Sequence, residues 1–389
     1  MKILQIIPYF VPAWAYGGPV RVCYELSKAL VRRGHEIVVY TTDVLDARNR
    51  IANKKEIIDG IQVTRFKNIS NTFAHNHKIF ISPSMVSAIK NNLRRFDVVH
   101  MHEYRSIQNI VLKHFALKYD IPYVLQAHGS LSRTILKQRL KHIYDSIWGY
   151  GLLRNASKAI ALNETEVEQY KNMGIEKDRI EIIANGIDQS EYTNLPPKGE
   201  FRKKHGYNNS DKIILYLGRI HETKGLDLLV NAFARLLTDL SAAKLVIIGP
   251  DDGYLPSLRK LISYLDIENQ VLLHGPIYGH EKFEAYIDAD VFVTPSFSGF
   301  PLTFLEACSM GTPLITTDKG DNLNWIHGRV GQVIPYDENL LRVALLNFLN
   351  DDDLRKRFGQ QGMSLVRKSF SWDKIVDEIE LLYRSVKTN

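Results

Sequence analysis

The chain has only two cysteines, Cys23 and Cys308, far apart and in unrelated contexts. That scarcity argues against a disulfide framework and against a thiolate metal site, and it fits a reducing compartment. Long hydrophobic runs are also missing. No stretch reaches the roughly 20 apolar residues that a membrane-spanning helix needs. The N-terminus, MKILQIIPYFVPAWAYGG, has the outline of a secretion signal, but Pro8 and Pro12 interrupt its apolar run and only Lys2 precedes it. It reads as a strand followed by a glycine loop. The expected location is cytoplasmic, with peripheral contact at the inner membrane face as an extension of that reading. There is no low-complexity tract and no repeat beyond a loose two-fold similarity between the halves.

At 389 residues the chain is too long for a single core, and about two to three domains are expected. The net charge of +7 is spread unevenly. Residues 1–190 carry 27 Lys and Arg against 17 Asp and Glu, whereas residues 191–389 carry 23 against 26. A basic first half suits acidic partners such as lipid head groups, diphosphates or nucleic acid, with a merely solvated surface as the competing reading.

What is present is alternation. KILQIIPY, EIVVYTT, GIQVTRF, DVVHMH, IPYVLQAH, KAIALN and IEIIANG read as buried strands, and helical patterns such as RVCYELSKALVRRG, ended by Gly34, lie between most of them. Such βα alternation builds a mostly parallel sheet covered on both faces. The pattern breaks near TNLPPKGEF and restarts with KIILYLG, KLVIIG, QVLLHG, DVFVTP, PLITT and GQVIPY, again separated by helices. Two doubly wound α/β domains in tandem are expected, residues 1–193 and 194–372, hinged near Pro196–Pro197, with a last helix, 373–389, crossing back onto the first. Ligands in such sheets bind at the carboxyl ends of strands, which with two facing domains means the cleft between them.

Two stretches carry chemistry. In ILYLGRIHETKGLDLL a strand ends at Leu217, Gly218 lets the chain turn, and Arg219 and Lys224 bracket a short loop before a helix opens near Gly225. Unpaired N–H groups at a helix start, with two cations beside them, make a diphosphate site. An ordinary βα loop with a surface Arg and Lys is the competing reading. In PSFSGFPLTFLEACSMGTPLITT, Gly299 gives the backbone freedom before a helix, so that its N–H groups can approach a phosphate. Glu306, about two turns in, has an acceptor-only carboxylate suited to a ribose diol, with an ion-pair or capping role as the alternative. Ser298 also suits a helix N-cap.

Other patterns receive plainer readings. Asp288 and Asp290 mimic a metal-binding D-x-D, but they sit where a helix leads into a strand. His100 and His102 alternate on one strand and are too few for a closed metal site. His102 is read as an acceptor contact and His100 as structural. RTILKQRLKHIYDSIWGYGLL interleaves Arg133, Lys137, Arg139 and Lys141 with Ile135, Leu136, Leu140, Ile143 and Trp148. It fits an ordinary helix with a wet basic face, or an interfacial membrane helix.

Taken together and in order, GGPVRVCYELSKALVRRGHEIVVYTT, AHGS, ANGID, GRIHETKG, ADVFVTPS and GFPLTFLEACSMGTPLITT resemble glycosyltransferase family 4 over nearly the whole chain. The resemblance implies a GT-B fold, two Rossmann-like domains facing across a cleft. It also implies retaining transfer of a sugar from a nucleotide-diphospho-sugar, UDP- or GDP-linked, to a glycan or lipid-linked acceptor. A basic N-terminal domain would touch the membrane, and neither a metal, another cofactor nor a nucleic acid is expected. By this resemblance Arg219 and Lys224 grip the donor diphosphate and, with His128, form the catalytic set. Glu306 binds the donor ribose. Gly17 and Gly18 belong to the loop near the donor phosphate and the acceptor. His128 lies by the transferred sugar, and His102 on the acceptor side. The nucleotide base is met by backbone around Pro276 and Ile277.

The resemblance breaks at one position. The family places a carboxylate eight residues before Glu306, where this chain has Ser298, and the stretch from Pro295 to Gly299 is one residue short. Losing a charged hydrogen bond costs on the order of 1.5–3 kcal/mol. Ser298, whose hydroxyl can donate or accept but carries no charge, would then bind the donor together with Gly299, Phe300, Pro301 and Leu302, where backbone groups can hold the sugar. Two alternatives stand beside this reading: a nucleotide-sugar-binding protein that lost turnover with that carboxylate, and a GT-B nucleotide-sugar epimerase, against which the same absence counts.

Overall fold

Alternating apolar runs and amphipathic helices have one economical solution: strands buried on both faces, helices outside. The computed structural model describes residues 1–132 and 138–387 and has this arrangement twice. One unit comprises Met1–Gly186 and the segment from Trp372 onward, and the other is Ile187–Ser371. Ile187 already pairs within the second unit, where its N–H donates to the Phe370 carbonyl at 2.8 Å.

In the first unit the strands are β1 (Lys2–Ile6), β2 (Glu36–Thr42), β3 (Lys55–Ile58), β4 (Ile61–Phe66), β5 (Val98–His102), β6 (Tyr123–Gln126), β7 (Lys158–Ala161) and β8 (Ile180–Ile182). Their order is β3-β4-β2-β1-β5-β6-β7-β8, parallel throughout except β3 against β4. In the second unit the strands are β9 (Lys212–Leu217), β10 (Ala243–Ile248), β11 (Val271–His274), β12 (Val291–Thr294), β13 (Leu314–Thr317) and β14 (Gly331–Ile334). The order is β11-β10-β9-β12-β13-β14, parallel throughout.

Each sheet reverses its winding once, between β1 and β5 in the first unit and between β9 and β12 in the second. At such a switch point the loops leaving two adjacent strands diverge and open a crevice at the carboxyl edge. The loops so placed are 7–17 after β1, 103–106 after β5, 218–225 after β9 and 295–301 after β12. They contain most of the residues singled out from the sequence.

The C-terminal helix Trp372–Lys387 packs on the first unit. It buries Ile375, Val376, Ile379, Leu382 and Tyr383, each worth about 1.5–3 kcal/mol when fully buried. Arg33 donates to Asp377 at 2.9 Å, and the His35 ring bonds Glu380 at 2.8 Å. Trp372 closes on Gly186, where any Cβ would lie 2.7 Å from the indole ring.

Candidate functional site

In the second unit, β9 ends at Leu217 and the chain turns through Gly218, which lies against Gly249: a Cβ on Gly249 would fall 1.8 Å from the Gly218 carbonyl oxygen. The turn Glu222–Lys224 is capped by His221, whose Nδ1 accepts from the Thr223 N–H at 3.2 Å. Gly225 then takes φ +68 and starts the helix Leu226–Leu236. A side chain there would meet Pro295 and the Tyr336 hydroxyl at 3.0 Å, so the glycine locks the 218–225 loop against the loop after β12.

The two cations of this loop differ. Arg219 is exposed and its guanidinium is ion-paired with Asp252. Lys224 is partly buried, and among the described residues its ammonium has no hydrogen bond or ion pair. Burial first, and the Arg219 charge second, push its pKa down to about 8. A desolvated ammonium beside a second cation is a place prepared for an anion.

In the loop after β12, Gly299, at φ +71, donates its own N–H to the Asp321 carboxylate. Ser298 does not cap the helix that follows. That helix, Leu302–Ser309, starts after Pro301 without a side-chain cap, and Ser298 is exposed. Phe300 is buried in an aromatic group, 5.8 Å from Trp325 and 5.5 Å from Phe370 between ring centres. Pro301 and Leu302 are partly exposed, and Ile277 is buried in the loop that follows β11.

Glu306 lies in a buried ion pair. Lys282 donates to its Oε1 at 2.7 Å and the Tyr286 hydroxyl to its Oε2 at 3.1 Å, with both members of the pair under 10% exposed. Lys282 was not legible in HEKFEAYIDA, because nothing local marks which lysine of an amphipathic helix turns inward.

In the first unit, Gly17 takes φ +87 and Gly18 opens the helix Gly18–Arg32, with nothing within 4 Å of where either Cβ would be. A ligand can therefore approach the backbone there. His102 and His128 stack with ring centres 5.1 Å apart and bond, Nδ1 to Nε2, at 2.8 Å. The His102 Nε2 bonds the Gln5 Oε1 at 2.7 Å. Gln5 donates to the Tyr383 hydroxyl at 3.4 Å, which bonds the His100 Nδ1 at 2.6 Å. With the Gln5 carbonyl accepting from His102 Nε2–H, neutral His102 accepts at Nδ1, so His128 donates from Nε2. The His128 Nδ1 is left as an acceptor. Burial lowers all three pKa values, to about 3 for His100 and for the still partly exposed His128. A neutral hydrogen-bonding His128 is thereby favoured over a general base.

Glu103 was not anticipated. It follows β5 with φ +67, accepts from the Tyr9 hydroxyl at 2.9 Å, and burial raises its pKa to about 7. A left-handed non-glycine residue leaves no sequence signal. The sign of its effect on stability is definite. The folded protein holds this proton more tightly than the unfolded chain, so stability from Glu103 is lost as pH rises from about 4.5 through 7. The buried histidines act oppositely, losing stability as pH falls below about 6.5. Glu103→Gln should therefore raise the melting temperature relative to wild type more at pH 8 than at pH 5. A difference independent of pH would contradict this.

The remaining candidates are structural. Asp288 accepts from the Gly199 and Arg202 N–H groups at 2.6 and 3.0 Å, and Asp290 pairs with Arg202 and Arg355. Among the described residues, no group of three or more His, Cys, Asp or Glu is placed to hold a metal ion. Arg133, Ile135, Leu136 and Lys137 lie outside the described residues. In the helix Gln138–Tyr144 and the turn after it, Leu140, Ile143, Ile147 and Trp148 are exposed. No described helix is long and apolar enough to cross a membrane.

Comparison with known proteins agrees with this architecture. Residues 16–191 match the family model Glycosyltransferase Family 4, and residues 197–364 match Glycosyl transferases group 1. An uncharacterised glycosyltransferase of Methanocaldococcus jannaschii is 27% identical, covering 99% of this chain and 98% of its own. Sucrose-phosphate synthase of Thermosynechococcus elongatus superposes with a TM-score of 0.81 at 22% identity, over 99% of this chain and 98% of that one. Anabaena HepE, in complex with UDP and glucose, superposes with a TM-score of 0.80 at 17% identity, over 99% and 100%. With two mostly parallel switch-point sheets and family matches over most of its length, the chain belongs to the group 1, family 4 glycosyltransferases of GT-B fold, and it is a glycosyltransferase.

Proposed function

We propose that the enzyme transfers a sugar from a nucleotide-diphospho-sugar to a glycan or lipid-linked acceptor, with retention at the anomeric carbon and without a metal. The observation that carries this reading is Lys224, a partly buried ammonium without a counter-charge of its own at the carboxyl end of β9. The second unit binds the donor, with Lys224, Arg219 and the head of the helix Leu226–Leu236 at the diphosphate. Glu306 takes the ribose, and backbone near Ile277 meets the base. The related fold of HepE holds UDP and glucose, which makes a UDP-sugar the first donor to test. The first unit receives the acceptor near Gly17, Gly18, His102 and His128. Its exposed Leu140, Ile143, Ile147 and Trp148, beside Arg139 and Lys141, suit contact with an anionic membrane face from the cytoplasm, where a lipid-linked acceptor would sit.

In the reaction the bond from the anomeric carbon to the β-phosphate oxygen breaks, and its electron pair leaves with the nucleoside diphosphate. Lys224 and Arg219 stabilise the charge that grows there. The acceptor oxygen bonds the same face of the anomeric carbon, and its proton passes to the departing phosphate oxygen. His128, neutral and accepting at Nδ1, orients a hydroxyl rather than removing its proton. The exposed Ser298 hydroxyl, uncharged and without a paired base, is not a nucleophile.

Incubation with UDP- and GDP-sugars, with chelator and with and without glycan or lipid acceptors, tests the reading. Nucleoside diphosphate released only when acceptor is present is the expected result. A changed sugar without release would point to epimerisation. Binding without conversion would favour the second reading, a protein silenced by the missing carboxylate at Ser298.

A further inference from the structure

The family's sugar-facing carboxylate is absent at position 298, yet the loop that should carry it is tied to a carboxylate from elsewhere. Asp321, in the segment after β13, accepts the N–H of Gly299, the residue next to Ser298. The attachment is built in. Gly320 sits so close to Phe297 that a Cβ would lie 2.2 Å from its ring, which clamps the segment 318–322 onto the loop after β12. Asp321 is partly exposed, Ser298 is exposed, and a cavity of about 140 Å³ opens beside Asp321, lined also by Phe297, Thr317, Asp318 and Asn322. A carboxylate presents about four lone-pair positions, so one that accepts the Gly299 N–H among its contacts can also accept from hydroxyls.

We propose that Asp321 supplies, to the hydroxyls of the donor sugar, the carboxylate that position 298 lacks. This rests on the donor reading given above. The shortened loop brings Gly299 to Asp321, so the negative charge enters from β13 instead of from the turn after β12. Its position, displaced from that of a residue at 298, selects sugars whose hydroxyls reach it. Asp321 is thus a specificity-determining residue of the second unit, separate from the diphosphate contacts at Arg219 and Lys224.

The test uses Asp321→Asn, which keeps a carbonyl oxygen for the Gly299 N–H and removes the charge. Titration calorimetry of the full-length protein with UDP, UDP-glucose, GDP and GDP-mannose compares wild type, this variant and the double variant Asp321→Asn/Ser298→Glu. The expected result is a loss of about tenfold or more in affinity for the nucleotide-sugar that wild type binds. Affinity for the matching nucleoside diphosphate should stay within about twofold, and the double variant should recover the sugar-dependent part. Equal weakening of nucleotide and nucleotide-sugar would show that Asp321 only props the loop, and would overturn the proposal. So would unchanged binding, which leaves the donor reading standing. Wild type that binds none of the four probes would overturn both.

Discussion

Lys224→Ala is expected to lower kcat/KM for sugar transfer by about 10² to 10³, the usual consequence of removing one donor to developing negative charge. Nucleoside diphosphate binding should weaken with it. Arg219→Ala should cost less, because Arg219 is already ion-paired with Asp252 and must share or leave that partner to reach a phosphate. Lys224 has no such partner among the described residues. The pH dependence distinguishes the two further. Burial and the neighbouring Arg219 lower the Lys224 pKa to about 8 in the free protein, and a bound diphosphate would raise it again. Only the charged form attracts the anion, so diphosphate affinity should be level below pH 8. It should fall as pH rises above 8, by at most about tenfold per unit. Lys224→Arg, charged throughout this range, should abolish that decline. Affinities measured from pH 7 to 9.5 decide this. A profile shared by wild type and Lys224→Arg would remove Lys224 from the diphosphate site.

Breaking the Lys282–Glu306 pair is expected to be the most damaging single change to the second unit. Lys282→Met removes the cation from the buried Glu306 carboxylate, which the Tyr286 hydroxyl also contacts. Removing one partner of a buried pair costs about 3–5 kcal/mol, which denaturant unfolding of the variant would register. The double variant Lys282→Met/Glu306→Leu should recover much of that loss, since replacing both charges removes the uncompensated one. It should nevertheless bind nucleotide poorly if Glu306 holds the ribose. Recovery of stability without recovery of donor binding is the predicted pattern. Recovery of both would make Glu306 purely structural.

These cases show what could be read before the structure. The βα alternation, the break near Pro196 and the placement of GRIHETKG at a strand's carboxyl end were all legible, because periodicity and turn chemistry are local. Glu306 was found by its place in a helix of apolar neighbours, but its partner Lys282 lies 24 residues away on another helix. Asp252 on Arg219, Asp321 on Gly299 and Gln5 on His102 share this character: each is an ordinary residue whose partner is chosen by packing. Glu103 escaped notice because its backbone conformation, held by tertiary contacts, has no compositional mark. That the Gly299 N–H goes to Asp321 was hidden for the same reason. Glycine announces freedom of the chain, not the direction in which its N–H is finally used.

Sequence alone determined the class of the fold, since buried parallel strands and amphipathic helices are written in hydrophobic period. It also determined the family, since the motifs stand in order along nearly the whole chain. Only the tertiary structure decided which cation is left without a partner, which carboxylates are neutralised, and where a carboxylate lies near position 298. Those outcomes depend on hydrogen-bonding contacts between residues far apart in sequence, where burial strips water from a charge and makes its nearest neighbour decisive.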